Sequence, residues 1–153
     1  MKVYYSYQFI SDLAINLCDK IKNDFEPDYI LAISGGGLIP SRMVRKYIKK
    51  PIISVTVQYY DENDNLNNEA KIIQWVDKRL IENKKILIID EIDDTGSTLS
   101  FVIDKLKEYN PKELSVGVIF NKDKPKKYNN SMNNVNYYSA MDIYDNWVVF
   151  PWE

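Results

Sequence analysis

An α/β fold, a twisted and mostly parallel sheet flanked by helices, is what three observations in this 153-residue chain predict. Short apolar, β-branched runs bounded by turn residues alternate with segments of helical spacing up to about residue 120. The run Ile86 to Ile89 is continuously apolar, as in a parallel strand buried on both faces, and it stops abruptly at the carboxylates Asp90, Glu91, Asp93 and Asp94. Four of the five glycines, at 35, 36, 37 and 96, fall in two strand-to-helix loops. With 45% hydrophobic residues the chain has material for an ordinary core, and a single domain over residues 1–153 is expected, with no internal repeat.

In chain order, Ser11 to Asp24 has the spacing of an amphipathic helix. Ile10, Leu13, Ala14, Leu17, Cys18 and Ile21 share one face, Asp12, Asn16, Asp19, Lys20 and Lys22 take the other, and Pro27 ends it. Tyr29 to Ile33 is an apolar strand, followed by Ser34-Gly35-Gly36-Gly37 and a helix over about Ile39 to Lys49, with Pro40 in its first turn. Ile52 to Val57 is a β-branched strand that runs into the polar stretch Gln58 to Asn68, read as a lid or binding loop or else a surface hairpin; Lys71 to Val76 pairs back. After the central run come a helix over Leu99 to Tyr109, a strand over Leu114 to Phe120 and a Lys/Asn-rich loop from Asn121 to Asn134. A strand over Val135 to Ala140 and the aromatic segment Trp147 to Glu153 complete the chain, and Tyr4, Tyr5 and Tyr7 suit an interface as well as a core.

Composition excludes several chemistries. There is no histidine, which removes Ser-His-Asp catalysis, imidazole metal ligation and imidazole proton transfer together, so carboxylates, lysine or tyrosine must carry any acid–base work. The single Cys18 cannot form an internal disulfide and reads as a buried structural thiol in a reducing compartment. A net charge of −2 with scattered lysines argues against nucleic acid as a partner. No apolar stretch is long enough to span a membrane and residues 1–25 lack a signal-peptide core, so a cytoplasmic protein is expected.

The strand 86–89 delivers a site. Its carboxylates stand at the carboxyl end of a central strand, where open α/β sheets bind ligands. Thr95, Gly96, Ser97 and Thr98 offer hydroxyls, a glycine for tight backbone approach and the free N–H groups of a helix start, the makings of a phosphate cradle. Asp90 and Glu91 are suited to a vicinal diol and a hydrated Mg²⁺. The same strand also looks like a Walker B element, but Gly35-Gly36-Gly37-Leu38-Ile39-Pro40-Ser41-Arg42 does not match the phosphate loop an ATPase needs. Gly35 to Gly37 alone reads as a tight turn; two such loops at two strand ends point to paired anion sites.

Taken in full, residues 86–98 resemble the phosphoribosyl-pyrophosphate motif of type I phosphoribosyltransferases, with all thirteen positions conforming. The resemblance extends to the 6-oxopurine branch, the xanthine-guanine and hypoxanthine-guanine enzymes. Ala32 to Pro40 looks like their pyrophosphate loop, Tyr60-Asp61 falls where their flexible catalytic loop (here about 59–70) carries a Tyr-Asp pair, Ile119 to Lys122 matches a base-contacting strand end, and Trp147 to Glu153 resembles their closing segment.

The resemblance implies a sheet with a small C-terminal base-binding hood (about 121–153), Mg²⁺ as cofactor, and a homodimer or homotetramer. By the same resemblance Asp90 and Glu91 hold the ribose hydroxyls and the metal, Asp94 to Thr98 wrap the 5′-phosphate, and Ser34, Gly35, Gly36, Gly37 and Tyr60 face the pyrophosphate. Ile92, Lys122, Trp147, Val148 and Glu153 face the purine, and Asp94 handles a proton, with Asp93 as the weaker candidate. The implied reaction is phosphoribosyl transfer to xanthine, guanine or hypoxanthine, giving the nucleoside monophosphate and pyrophosphate in purine salvage. A non-catalytic, regulatory nucleotide-binding descendant is the alternative. Residue by residue, Trp147 suits core packing beside Trp152 as well as a purine, and Lys122 could belong to the solvated run Lys124, Lys126, Lys127. Two departures stand out. Gly35 occupies a position where relatives carry Arg or Lys, and after the flexible loop, where the bacterial xanthine-guanine enzymes carry another arginine, this chain has only Asn, Leu and Glu. That leaves Arg42, Lys71 or Lys84 as helpers in neutralising pyrophosphate.

Overall fold

The computed structural model describes residues 1–59 and 69–153. In chain order these form β1 (Lys2–Tyr4), α1 (Tyr7–Lys22), β2 (Tyr29–Ser34), α2 (Leu38–Ile48), β3 (Ile52–Tyr59), β4 (Ala70–Gln74), a 3₁₀ turn (Lys78–Leu80), β5 (Lys85–Asp93), α3 (Ser97–Lys107), β6 (Glu113–Lys122), β7 (Val135–Ile143) and β8 (Trp147–Val149). The main sheet has the order β4-β3-β2-β5-β6-β7, and every neighbouring pair is parallel except β3–β4. β1 and β8 form a separate parallel pair, Val3 opposite Val148.

Alternation along β5 divides the core. Leu87 and Ile89 pack with α1 and Val44 of α2 on one face, while Ile86 and Ile88 pack with Leu99, Val102, Ile103 and Leu106 of α3 on the other. All four strand residues are fully buried, the burial on both faces that their unbroken apolar run predicts.

Both boundaries of α1 differ from expectation, α3 lies two residues earlier at each end, and β7 runs on to Ile143. α1 begins at Tyr7, not Ser11, because extended Ser6 caps it, its hydroxyl accepting from the Phe9 N–H at 3.1 Å; Tyr7 and Phe9 lie off the apolar stripe and are exposed, so periodicity does not register them. It ends at Lys22 rather than Asp24, where the Phe25 N–H returns to the Ile21 carbonyl. No helix joins β6 to β7: residues 123–134 cross instead as an irregular strap. No described helix is long and apolar enough to cross a membrane.

Candidate active site

β5 continues past its apolar run to Asp93, carrying its carboxylates into the sheet end before α3 begins. Asp90 is buried and accepts the Glu91 N–H at 2.9 Å. Burial, followed by the neighbouring charges of Glu91 and Asp93, pushes its carboxyl well above the ordinary range. Glu91 is half-buried; burial and then the nearby Glu153 carboxylate raise it to about 7, against a hydrogen bond donated by Trp152.

Glu91 also explains a glycine. Its carboxylate lies over Gly36, where any Cβ would overlap it, whereas a Cβ at Gly35 would meet nothing within 4 Å. The Gly37 N–H donates to the Ile33 carbonyl at 2.8 Å and the Leu38 N–H to the Gly35 carbonyl at 3.1 Å, folding the loop 34–37 back against β2. The loop thus offers backbone and the Ser34 hydroxyl, with no cation of its own.

The second loop is better furnished. Gly96 turns it at φ 82°, a left-handed conformation that suits glycine, and α3 starts at once. The Thr95 hydroxyl donates to the Ser97 hydroxyl at 3.0 Å and accepts the Ser97 N–H at 3.3 Å. The Tyr59 hydroxyl holds the Ser97 carbonyl at 2.8 Å. The first-turn N–H groups of α3, including that of half-buried Thr98, form the positive end of the helix dipole.

Beside these loops opens a cleft of about 470 Å³ whose lining includes Ile92, Lys122, Trp147, Val148 and Glu153, together with Glu91 and Asp94. Trp147 is 68% exposed on its wall and does not pack into the core with Trp152, which stacks on Phe150 instead. Lys122 is only 9% exposed, so it is no member of a solvated run. Its ammonium donates to Asp145 at 3.1 Å and to Asp94 at 3.4 Å, and Lys124 lies 2.6 Å from Asp94 and 3.2 Å from Asp145. Burial would raise the Asp94 carboxyl, but the Lys124 hydrogen bond and the charges of Lys122 and Lys124 outweigh it and hold the group below the usual carboxylate range.

Asp93 points elsewhere. It is buried against Tyr128 and Tyr137, whose hydroxyls both donate to it, the latter at 2.7 Å, and it does not line the cleft. Lys84 stands just before the start of β5, roughly 20 Å along the strand from Glu91. It is therefore at the wrong end of the sheet for the helper role the sequence left open, and Arg42 lines a different cavity beside Tyr47. Tyr60, expected at the pyrophosphate, lies outside the described residues. Asp145 and Lys124 were not anticipated; the only sequence signal is that Asp145 precedes Trp147 by two residues.

A phosphate-type cradle, a carboxylate pair and a flat-walled cleft therefore meet at one strand end. The family described as "Phosphoribosyl transferase domain" matches residues 4–153. The chain belongs to this family. It is 30% identical to the hypoxanthine-guanine phosphoribosyltransferase of Saccharomyces cerevisiae, over 99% of this chain and 86% of that protein. To xanthine phosphoribosyltransferase 1 of the same yeast it is 31% identical, over 99% of this chain and 90% of the relative. A crystal structure of a hypothetical protein from Neisseria gonorrhoeae with bound ppGpp superposes with a TM-score of 0.91 at 32% identity, covering 100% of this chain and 89% of that one. The protein is thus a phosphoribosyltransferase, an enzyme with the type I α/β architecture.

Proposed function

We propose that this phosphoribosyltransferase moves the 5-phosphoribosyl group of phosphoribosyl pyrophosphate to N9 of a 6-oxopurine, xanthine, guanine or hypoxanthine, and releases pyrophosphate. The product is a nucleoside monophosphate, in purine salvage by a cytoplasmic homodimer or homotetramer. One observation supports this reading above the rest: the cradle 95–98 and the cleft holding Lys122 and Trp147 adjoin at Asp94. A donor anchored by its 5′-phosphate in the cradle would bring C1 of its ribose towards a base lying on Trp147.

In this reading Asp90 and Glu91 accept hydrogen bonds from the ribose hydroxyls, and the backbone of Ser34 to Gly37 faces the leaving group. Lys122 donates to the purine 6-oxygen, Ile92 and Trp147 sandwich the ring, and backbone groups at Val148 with Glu153 read the 2-position. As the C1–O bond to pyrophosphate breaks and the C1–N9 bond forms, positive charge develops on the ribose, as in other displacements at an anomeric carbon. Asp94, kept ionised by its two lysines, is ready to take the proton from N7 of the base.

The residues present fit Mg²⁺. Asp90 and Glu91 are hard oxygen donors at adjacent positions and would hold the ion; since no cluster of three or more candidate ligands occurs among the described residues, phosphate oxygens and water would supply the other ligands. When bound, Mg²⁺ supplies the positive charge against pyrophosphate that the Gly35 loop lacks.

Turnover of the donor with hypoxanthine, guanine, xanthine and adenine tests the reading. Product with at least one 6-oxopurine and little with adenine is expected; turnover of adenine alone would remove Lys122 from the role given to it. The Neisseria gonorrhoeae relative with bound ppGpp favours a second reading, in which the same site accepts this guanine nucleotide as a regulator. Calorimetric titration with ppGpp, repeated in the presence of the donor, decides it, and competition between the two is the expected result.

A further inference from the structure

The strap between β6 and β7 crosses behind the cradle and takes hold of its carbonyls. The Lys126 ammonium donates to the carbonyl oxygens of Asp93 at 2.8 Å and Asp94 at 2.7 Å, and the Lys127 N–H donates to that of Thr95 at 2.7 Å. Three successive carbonyls are thereby fixed on the strap side. Because C=O and N–H point in opposite directions across a trans peptide, the N–H groups of Asp94, Thr95 and Gly96 are turned to the other side, where the cradle opens.

Two further contacts lock this arrangement. The ring of Tyr128 fills the space beside Gly96 that a side chain there would occupy. The Asp93 side chain, wholly buried, accepts from Tyr128 and Tyr137 and lies 3.7 Å from the Lys126 ammonium, with its Oδ1 otherwise without a hydrogen-bond partner. Lys126 is itself only 13% exposed. An ammonium is costly to bury, and burial lowers its pKa against the charges of Asp93 and Asp94, so its place behind the loop is one the fold maintains at a cost.

We infer that Lys126 is a positioning residue for the donor's 5′-phosphate: it never touches the ligand, but by holding the Asp93 and Asp94 carbonyls it aims the cradle's N–H donors at the phosphate. The inference rests on the phosphate role proposed for residues 94–98, and ribose 5-phosphate separates the two. Calorimetry with this probe, together with steady-state kinetics, is applied to the full chain and to Lys126→Met, Lys126→Gln and Lys126→Arg.

The expected result for Lys126→Met is a loss of roughly tenfold or more in ribose 5-phosphate affinity and an equal rise in the donor KM. The purine KM and kcat should stay within about twofold, and Lys126→Arg should recover most of the loss. A general loosening of the fold would instead raise both KM values together, and that pattern, unchanged affinity, or failure of arginine to rescue would each overturn the inference. Should Lys126→Met not fold, Lys126→Gln must show the same selective loss, and its absence overturns the inference equally. If the unaltered protein binds ribose 5-phosphate but turns over no base, the functional reading fails while the role of Lys126 still stands or falls on the affinities. No binding of ribose 5-phosphate to the unaltered protein overturns both.

Discussion

At the end of β5 the loop 94–98 carries three hydroxyls, a helix start in front and a lysine and two tyrosines behind; at the end of β2 the loop 34–37 has a single hydroxyl and three glycines, with a carboxylate laid over one of them. Both would meet phosphate, yet only the first is built for it without help. Its donors are fixed by hydrogen bonds already present, Thr95 to Ser97 and Tyr59 to Ser97 among them, so an anion arriving there asks for little rearrangement. The second loop lies under the Glu91 carboxylate, with Glu153 near that group, and a pyrophosphate beside them needs a cation that residues 34–37 do not carry. The difference teaches where dependence on metal and pH should lie: at the leaving-group end, not at the 5′-phosphate.

The largest expected effect tests the residue between the two halves. Asp94→Asn should lose on the order of 10²-fold or more in kcat while still binding the donor, because an amide cannot accept the base proton. Steady-state kinetics beside donor calorimetry measures this, and an unchanged kcat would remove Asp94 from proton handling.

Next comes the wall of the base cleft. Trp147→Ala should raise the purine KM roughly 10- to 100-fold, the usual worth of an aromatic stack on a base, without moving the donor KM. The ring is 68% exposed, so the melting temperature should hold; a large drop there would return Trp147 to a packing role.

A pair of alanine substitutions sharpens the contrast within the weaker loop. Gly36→Ala drives a methyl into the Glu91 carboxylate and should cost roughly tenfold in kcat/KM for the donor, whereas Gly35→Ala points into open space and should change little. Equal effects at the two positions would show that Glu91 does not rest where the structure places it.

The smallest effect is a pH dependence. Glu91 has a folded pKa of about 7 against an ordinary 4.5, so its ionised form is disfavoured in the folded protein. Its contribution to stability is therefore most favourable below about 4.5, declines as pH rises towards about 7 and is flat beyond. Asp94 has the opposite sign, its contribution being lost only as pH falls through its depressed pKa in acid. Urea unfolding of the metal-free protein at pH 5 and pH 8 should show a smaller decline in Glu91→Gln than in the unaltered chain, and identical declines would contradict the shift.

The cradle was legible in the sequence because its parts are consecutive: a buried strand, its carboxylates and a helix start follow one another within residues 86–98. The four central strands β3, β2, β5 and β6 were legible for a related reason, each carrying its own apolar run, and the edge strands β4 and β7 from their place beside them in the chain. β1 and β8 were not both foreseeable as strands, since three residues hold no periodicity and their pairing spans the whole chain. Lys124, Lys126 and Tyr128 were hidden because composition makes 121–134 a solvated Lys/Asn loop, and Asp145 because it stands alone in the short turn between β7 and β8. Only the crossing from β6 to β7 brings Lys126 against Asp93, 33 residues earlier. Lys84 shows the converse error, a charge close in sequence to the motif but at the opposite end of the strand.

Base-dependent release of pyrophosphate from phosphoribosyl pyrophosphate, followed with guanine, hypoxanthine or xanthine present or omitted and with Mg²⁺ or a chelator, tests the central claim most directly. Release that needs both a 6-oxopurine and Mg²⁺ is the predicted result. Donor binding with no release in any mixture, or release indifferent to the base, would contradict it.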